Sequence, residues 1–168
     1  MVRVRVLGVA LDPAQEHVIL LKPVVRPWDR ILPVWIGAQE ATAILVAVQG
    51  APSPRPLAHE LMLSIVDELS ARVERVEVTR VDDGTFYAAV TLDTPRGARV
   101  VDARPSDAIA LASRADAPIF VADEVLAVAG ILDTVSEESD EASARDEESR
   151  IAEFRSFLDE VEPEDFED

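Results

Sequence analysis

The segment Ile36-Gly37-Ala38-Gln39-Glu40-Ala41-Thr42-Ala43-Ile44-Leu45 returns 67 residues later as Ala103-Arg104-Pro105-Ser106-Asp107-Ala108-Ile109-Ala110-Leu111-Ala112. Each copy leaves an apolar, strand-like run, turns a corner, sets a carboxylate at the same place and continues as an alanine-rich helix. Glu40 aligns with Asp107, Ala41 with Ala108 and Ala43 with Ala110. A chain built this way folds as a duplicated unit, and each half holds one acid near a helix start.

The residues around each copy extend the repeat. Residues 2–11, 17–25 and 31–36 are rich in Val, Leu and Ile, with turn chemistry at Asp12-Pro13 and Pro27-Trp28-Asp29, and read as three strands. A helix follows over 38–50, stopped by Gly50 and Pro52-Ser53-Pro54. Pro56 suits the first position of a second helix, on which Leu57, Leu61, Ile65 and Leu69 recur every four residues. Residues 73–81 then alternate in hydrophobicity. Asp82-Asp83-Gly84 marks a tight hairpin, since Asp and Gly accept the positive φ that such turns require. Residues 86–92 return, Pro95-Arg96-Gly97 turns again, 98–103 form a third strand, and Pro105 opens a helix over 105–115. A short buried strand over 118–121 and a helical stretch over 123–129 complete the body. The reading is an α+β fold, three antiparallel strands plus a helix occurring twice, with extra helices and an acidic C-terminal tail.

A chain of 168 residues carries one ordinary core. Its net charge of −17 is unevenly placed. From Asp133 onward there are 16 acids against Arg145, Arg150 and Arg155, a net of −13, which leaves residues 1–132 at −4. The domain reading is a body over 1–132, an acidic flexible linker over 133–149 and a short amphipathic helix and tail over 150–168. In that last stretch Ile151, Phe154, Leu158 and Val161 share one helical face, which needs a docking surface on this chain, a sister subunit or a protein partner. No run approaches the roughly 18 apolar residues of a membrane helix, and the alternating N-terminus reads as a strand rather than a signal peptide. With no cysteine there is no disulfide, thiolate metal site or cysteine nucleophile. A soluble cytoplasmic protein is expected.

Phosphate loops, dinucleotide fingerprints, nucleophile elbows and the His-Glu-x-x-His zinc motif are all absent from the sequence. The chemistry available is acids, two histidines and arginines. His17 lies beside a charged turn and reads as surface filler. His59 and Glu60 fall in the first turn of a helix, either as dipole complement and cap or as a histidine and carboxylate facing one site. Glu40 and Asp107 either reach back to their own helix amides or approach each other, where a pair of carboxylates would bind a divalent cation such as Mg²⁺ or Mn²⁺. Arg104 either ties the corner to Asp102 or holds an anion at the helix start.

Leu32-Pro33-Val34-Trp35-Ile36-Gly37 with Glu40-Ala41, Arg55-Pro56-Leu57-Ala58-His59-Glu60-Leu61 and above all Asp102-Ala103-Arg104-Pro105-Ser106-Asp107-Ala108-Ile109-Ala110-Leu111-Ala112 resemble the bifunctional nuclease domain family, once catalogued as a domain of unknown function. The resemblance covers about residues 1–130. It implies an α+β domain that tends to form homodimers and, for some members, an ability to degrade both DNA and RNA. This chain has Ala58-His59-Glu60 where the family commonly has Thr-His-Asp, which removes a threonine able to cap the helix. The candidate catalytic residues are Glu40, His59 and Asp107, with Glu60 and Asp102 behind them. Glu40 and Asp107 would hold the metal, Arg55 and Arg104 the phosphate, and Arg72, Arg75, Arg80 and Arg99 would extend a substrate track. The competing reading is a non-enzymatic dimeric binding or regulatory module that recruits a protein partner through its C-terminal helix.

Overall fold

The computed structural model describes residues 1–25, 28–49 and 55–133. Met1–Leu132 forms one compact unit. The expected stop of the first helix over 50–54, most of the acidic linker and the amphipathic C-terminal helix lie outside the described residues.

The strands and helices follow the repeat. β1 (Val2–Leu11), β2 (His17–Pro23) and β3 (Arg30–Ile36) form an antiparallel meander that leads into α1 (Ala38–Gln49). After α2 (Ala58–Glu68), β4 (Arg72–Asp82), β5 (Thr85–Asp93) and β6 (Arg99–Ala103) form a second antiparallel meander leading into α3 (Pro105–Ala115). β7 (Ile119–Val121), α4 (Asp123–Ala129) and β8 (Ile131–Leu132) close the unit. The eight strands make a single mixed sheet in the order β6-β5-β4-β7-β1-β2-β3-β8.

Turn chemistry sets the hairpins. Asp82 pairs with Thr85, and the two residues between them, Asp83 and Gly84, take φ of 51° and 78°. That double left-handed turn matches the twist of its strands. At the β1–β2 turn, the Asp12 carboxylate accepts the backbone N–H groups of Ala14 and Glu16 and the indole N–H of Trp35 at 3.0 Å. The Trp35 hydrogen bond, ahead of those amides, holds the Asp12 carboxyl below its ordinary range. Pro33 is tolerated in β3 because β8 reaches only Arg30 and Ile31, so among the described residues that stretch of β3 keeps one unpaired side.

β7 joins the two meanders. It runs parallel to β4, through Val76–Ile119 and Val78–Val121, and antiparallel to β1, through Val2–Val121 and Val4–Ile119. Those residues lie in one apolar core with Ile19, Leu21, Leu32, Ile44, Ile109 and Leu126. Removing a Leu or Ile side chain of this kind from water is worth about 1.5–3 kcal/mol. α1 contributes Ala41, Ile44 and Ala47 to burial, and α3 contributes Ala108, Ile109, Ala110 and Ala112. Small alanines let these two helices pack closely on the sheet.

α2 behaves differently. None of its residues is buried, and Leu61, Met62 and Ile65 are exposed along with the flanking Leu57 and Leu69. Its first helical residue is Ala58, with Leu57 at the cap, so Pro56 lies just outside the helix rather than at its first position. The short β8 pairing with Arg30 and Ile31 is an addition that the hydrophobic pattern does not announce.

The hairpin gives a direct test. Gly84→Ala forces an L side chain into a left-handed backbone and should cost about 1 kcal/mol, read as a lower thermal unfolding midpoint. Gly8→Ala, where an added Cβ meets open space and φ is not positive, should leave the midpoint nearly unchanged.

Candidate active site

The starts of α1, α2 and α3 meet in one hydrogen-bonded cluster. Glu40 is the third residue of α1 and Asp107 the third of α3, so the repeat places both acids in the first turns of their helices. Arg104, at the cap of α3, lies between them. Its Nε donates to Asp107 Oδ2 at 2.7 Å and its Nη2 to Asp107 Oδ1 at 3.2 Å. Its Nη1 donates to Glu40 Oε1 at 3.0 Å. The imidazole Nε2 of His59 lies 3.2 Å from Asp107 Oδ1. All three acid–base candidates therefore belong to one network, and Arg104 is its hub.

Local backbone geometry explains the approach. Gly37 precedes α1, and a Cβ there would collide with the Glu40 carboxylate, so glycine leaves room for that side chain. Pro105 at the first position of α3 gives up an N–H that a helix start leaves unpaired in any case. α1 and α3 run side by side in the same direction. Their starts join through Arg104 and Glu40, and their far ends, at Val48 and at Ser113 and Asp116, line a cavity of about 420 Å³.

The electrostatics follow from the contacts. Partial burial alone would raise the Asp107 carboxyl, but the Arg104 hydrogen bonds, then the His59 contact and the charges of both partners, outweigh it and hold Asp107 below the ordinary carboxylate range. The same Asp107 bonds, followed by Glu40, raise Arg104 above its ordinary value. The Arg104 side chain is 67% exposed while that of His59 is 12% exposed, so the guanidinium faces solvent and the imidazole lies behind it.

Other predicted residues fall elsewhere. Glu60 does not face the site with His59. Its Oε2 accepts the Leu57 N–H at 2.7 Å, capping α2, and its Oε1 accepts a short hydrogen bond from Arg114. The loss of a threonine at position 58 thus removes no N-cap, because the cap residue is Leu57. Asp102 pairs across to Ala89 and is out of step with Val101 and Ala103, whose partners Val90 and Ala88 belong to the core. It projects from the opposite sheet face and is not the partner of Arg104. Arg55 is exposed just ahead of α2. The arginine track is not assembled as one row. Arg72 pairs with Asp93, Arg75 with Glu74 and Glu77, and Arg80 stacks 3.6 Å over the Tyr87 ring. Arg114 is the residue that sequence reading missed, since nothing local links it to a glutamate 54 positions earlier.

A divalent cation between Glu40 and Asp107 would occupy the space that the Arg104 guanidinium fills. Among the described residues no three His, Asp or Glu side chains come together as a metal cage. In this arrangement the donor set does not fit Mg²⁺ or Mn²⁺ unless Arg104 moves away.

With the cluster defined, comparison with known proteins adds a family. The bifunctional nuclease domain profile matches residues 19–134, which run from within β2 through β8 and include every member of the cluster. The chain belongs to the bifunctional nuclease domain family. A Mycobacterium tuberculosis protein named only as uncharacterized is 41% identical over 165 residues, covering 97% of this chain and 96% of its own length. Bifunctional nuclease 1 of Oryza sativa subsp. indica is 26% identical over 113 residues, covering 66% of this chain and 34% of that protein. The bifunctional nuclease of Oryza minuta matches to the same extent.

The depressed Asp107 acidity predicts a pH signature. An acid whose folded value lies below its unfolded value, about 3.9 for Asp, stabilises fully above that pH. The contribution is lost as pH falls through the folded value. Asp107→Asn should therefore lower the unfolding free energy at pH 7, with the gap from wild type narrowing as pH falls below the ordinary aspartate range. Denaturant titrations at neutral and at acid pH measure it.

Proposed function

We propose that this bifunctional nuclease domain is a phosphodiesterase acting on DNA, RNA or both, with its reacting groups in the Glu40–Arg104–Asp107–His59 cluster. The observation that carries this reading is the contact of His59 with a carboxylate that is itself fixed by a guanidinium. If Nε2 holds the proton it donates to Asp107, Nδ1 remains an acceptor able to take a proton from water, a tautomer inferred from the hydrogen bond. Orienting a histidine through a carboxylate is a general device for general-base catalysis. Arg104 uses three of its five N–H groups on Asp107 and Glu40, leaving one on each terminal nitrogen for phosphate oxygens. Its exposure places those donors where a phosphodiester can arrive. Arg55, ahead of α2, is the second phosphate-binding candidate. Water as nucleophile requires no 2′-hydroxyl, which fits action on both nucleic acids.

A divalent cation, if it assists, takes the place of Arg104 against Glu40 and Asp107. A cytoplasmic setting accompanies the proposal, in keeping with the cysteine-free sequence, and no helix among the described residues is long and apolar enough to cross a membrane.

The second reading, a dimeric binding or regulatory module, is favoured by one observation. Among the described residues Leu57, Leu61, Met62, Ile65 and Leu69 present an exposed apolar stripe, the kind of surface that a homodimer or a protein partner covers. The C-terminal helix would then be a further recruiting element.

Cleavage assays separate the readings. The purified chain is incubated with labelled RNA and single-stranded DNA, with Mg²⁺, with Mn²⁺ and with chelator, beside Glu40→Ala, His59→Ala and Asp107→Ala. The nuclease reading expects wild-type cleavage and a loss of about 10²–10⁴-fold in His59→Ala. Cleavage unchanged in all three variants rejects the site, and an inert wild type leaves the binding module. Chelator sensitivity would mean that an ion displaces Arg104.

A further inference from the structure

α2 carries the only histidine of the cluster, yet no residue of α2 is buried. Hydrophobic packing therefore does little to fix its position on α3. Among the described residues two polar links between these helices are present, His59 to Asp107 and Glu60 to Arg114. The first is the reactive contact itself. The second lies one residue further along α2 and joins two shielded side chains, with Arg114 only 11% exposed and Glu60 24% exposed. Glu60 also closes the first turn of α2 by accepting the Leu57 N–H. The charge that anchors the helix and the group that caps it are one carboxylate.

From this we infer that Arg114 is a positioning residue for His59, acting through Glu60. Its guanidinium, on the last turn of α3, holds the start of α2 so that the imidazole reaches Asp107 on the first turn of the same helix. α3 thus provides both the acid that orients the imidazole and the cation that seats the helix bearing it. Part of the Arg114 guanidinium is committed without reward, since its buried Nε has no hydrogen-bond partner among the described residues. Such a group is costly to keep, and the seating of α2 is the use for it that the contacts show. Among the described residues Arg114 makes no hydrogen bond or ion pair with His59 or Asp107, and it has no part in proton transfer.

This inference rests on the reading of His59 as the reacting group only for its catalytic consequence; its structural content is tested separately. The chain has two histidines, so ring signals of His59 and His17 are assignable by NMR with one His17→Asn control. In an otherwise wild-type chain, Asp107→Asn should move the His59 ring signals. In an Arg114→Gln background the same change should move them by less than about a third as much, because the contact is already broken, while Arg114→Lys should restore most of the response. Glu60→Gln should act like Arg114→Gln, and the double variant should add nothing further, as expected for two partners in one contact. Cleavage, where the wild type shows it, should fall about 10- to 100-fold in kcat with little change in KM, the size of effect a small misplacement of a reacting group produces. Should Arg114→Gln fail to fold, Arg114→Lys and Glu60→Gln decide. A folded variant lacking the Arg114–Glu60 link, in which His59 answers Asp107→Asn as fully as in wild type, overturns the assignment. An inert wild type with a coupled NMR response would reject the nuclease reading and leave the positioning role standing.

Discussion

Arg104 is the group on which the site depends. Two carboxylates facing one pocket repel one another, by about 1 kcal/mol at 4 Å in water and more where the dielectric falls. A guanidinium between them turns that repulsion into two attractions and adds directional hydrogen bonds to both. The duplicated helix starts can therefore approach one another with both acids engaged by one cation. The arrangement also accounts for the depressed Asp107 carboxyl and for its rigid presentation to His59. Lysine would not serve the same purpose, since one ammonium cannot reproduce the planar fork that spans Asp107 and reaches Glu40.

Two kinds of force hold the three helices. α1 and α3 are fixed by burial of Ala41, Ile44, Ala108, Ile109 and Ala112 against a sheet whose core strands carry Val4, Leu21, Val76 and Val121. α2 is held by charges and leaves its apolar residues outside. The first kind is insensitive to salt and hard to move; the second is local and adjustable. The cluster lies where they meet, with Glu40, Arg104 and Asp107 on the packed helices and His59 on the polar-seated one.

Much of this was legible in the sequence, and the parts that were not share a cause. Hairpins were readable because Asp83-Gly84 and Gly97 carry their turn chemistry locally, with positive φ at each. Both meanders and the matched acids were readable because duplication doubles the signal. The convergence of Glu40 and Asp107 was open to inference, whereas the direct reason for it was not. Arg104 could have paired with Asp102, two residues away, and only the alternation of β6 across the sheet separates them. The place of β7 was similarly hidden. Three apolar residues say that a strand is buried, and nothing in Ile119-Phe120-Val121 says that it parts the two meanders. The four-residue period of Leu57, Leu61, Ile65 and Leu69 correctly marks one helical face, but periodicity reports which residues share a face and not whether the folded unit covers it.

The same logic explains why Glu60 looked catalytic beside His59. Adjacent helix residues point about 100° apart, so His59 and Glu60 cannot both face one pocket from an ordinary first turn. One of them had to turn to the site and the other to the helix and its neighbour. His59 reaches an acid held by Arg104, while Glu60 reaches the part-buried cation Arg114 and its own cap. Exchanging those roles would put a third carboxylate beside Glu40 and Asp107 and leave the Arg114 guanidinium without its carboxylate, a double electrostatic cost. The division of labour between neighbours is thus set by where the two arginines of α3 and its cap stand, which returns the choice between His59 and Glu60 to the charges placed at either end of one helix.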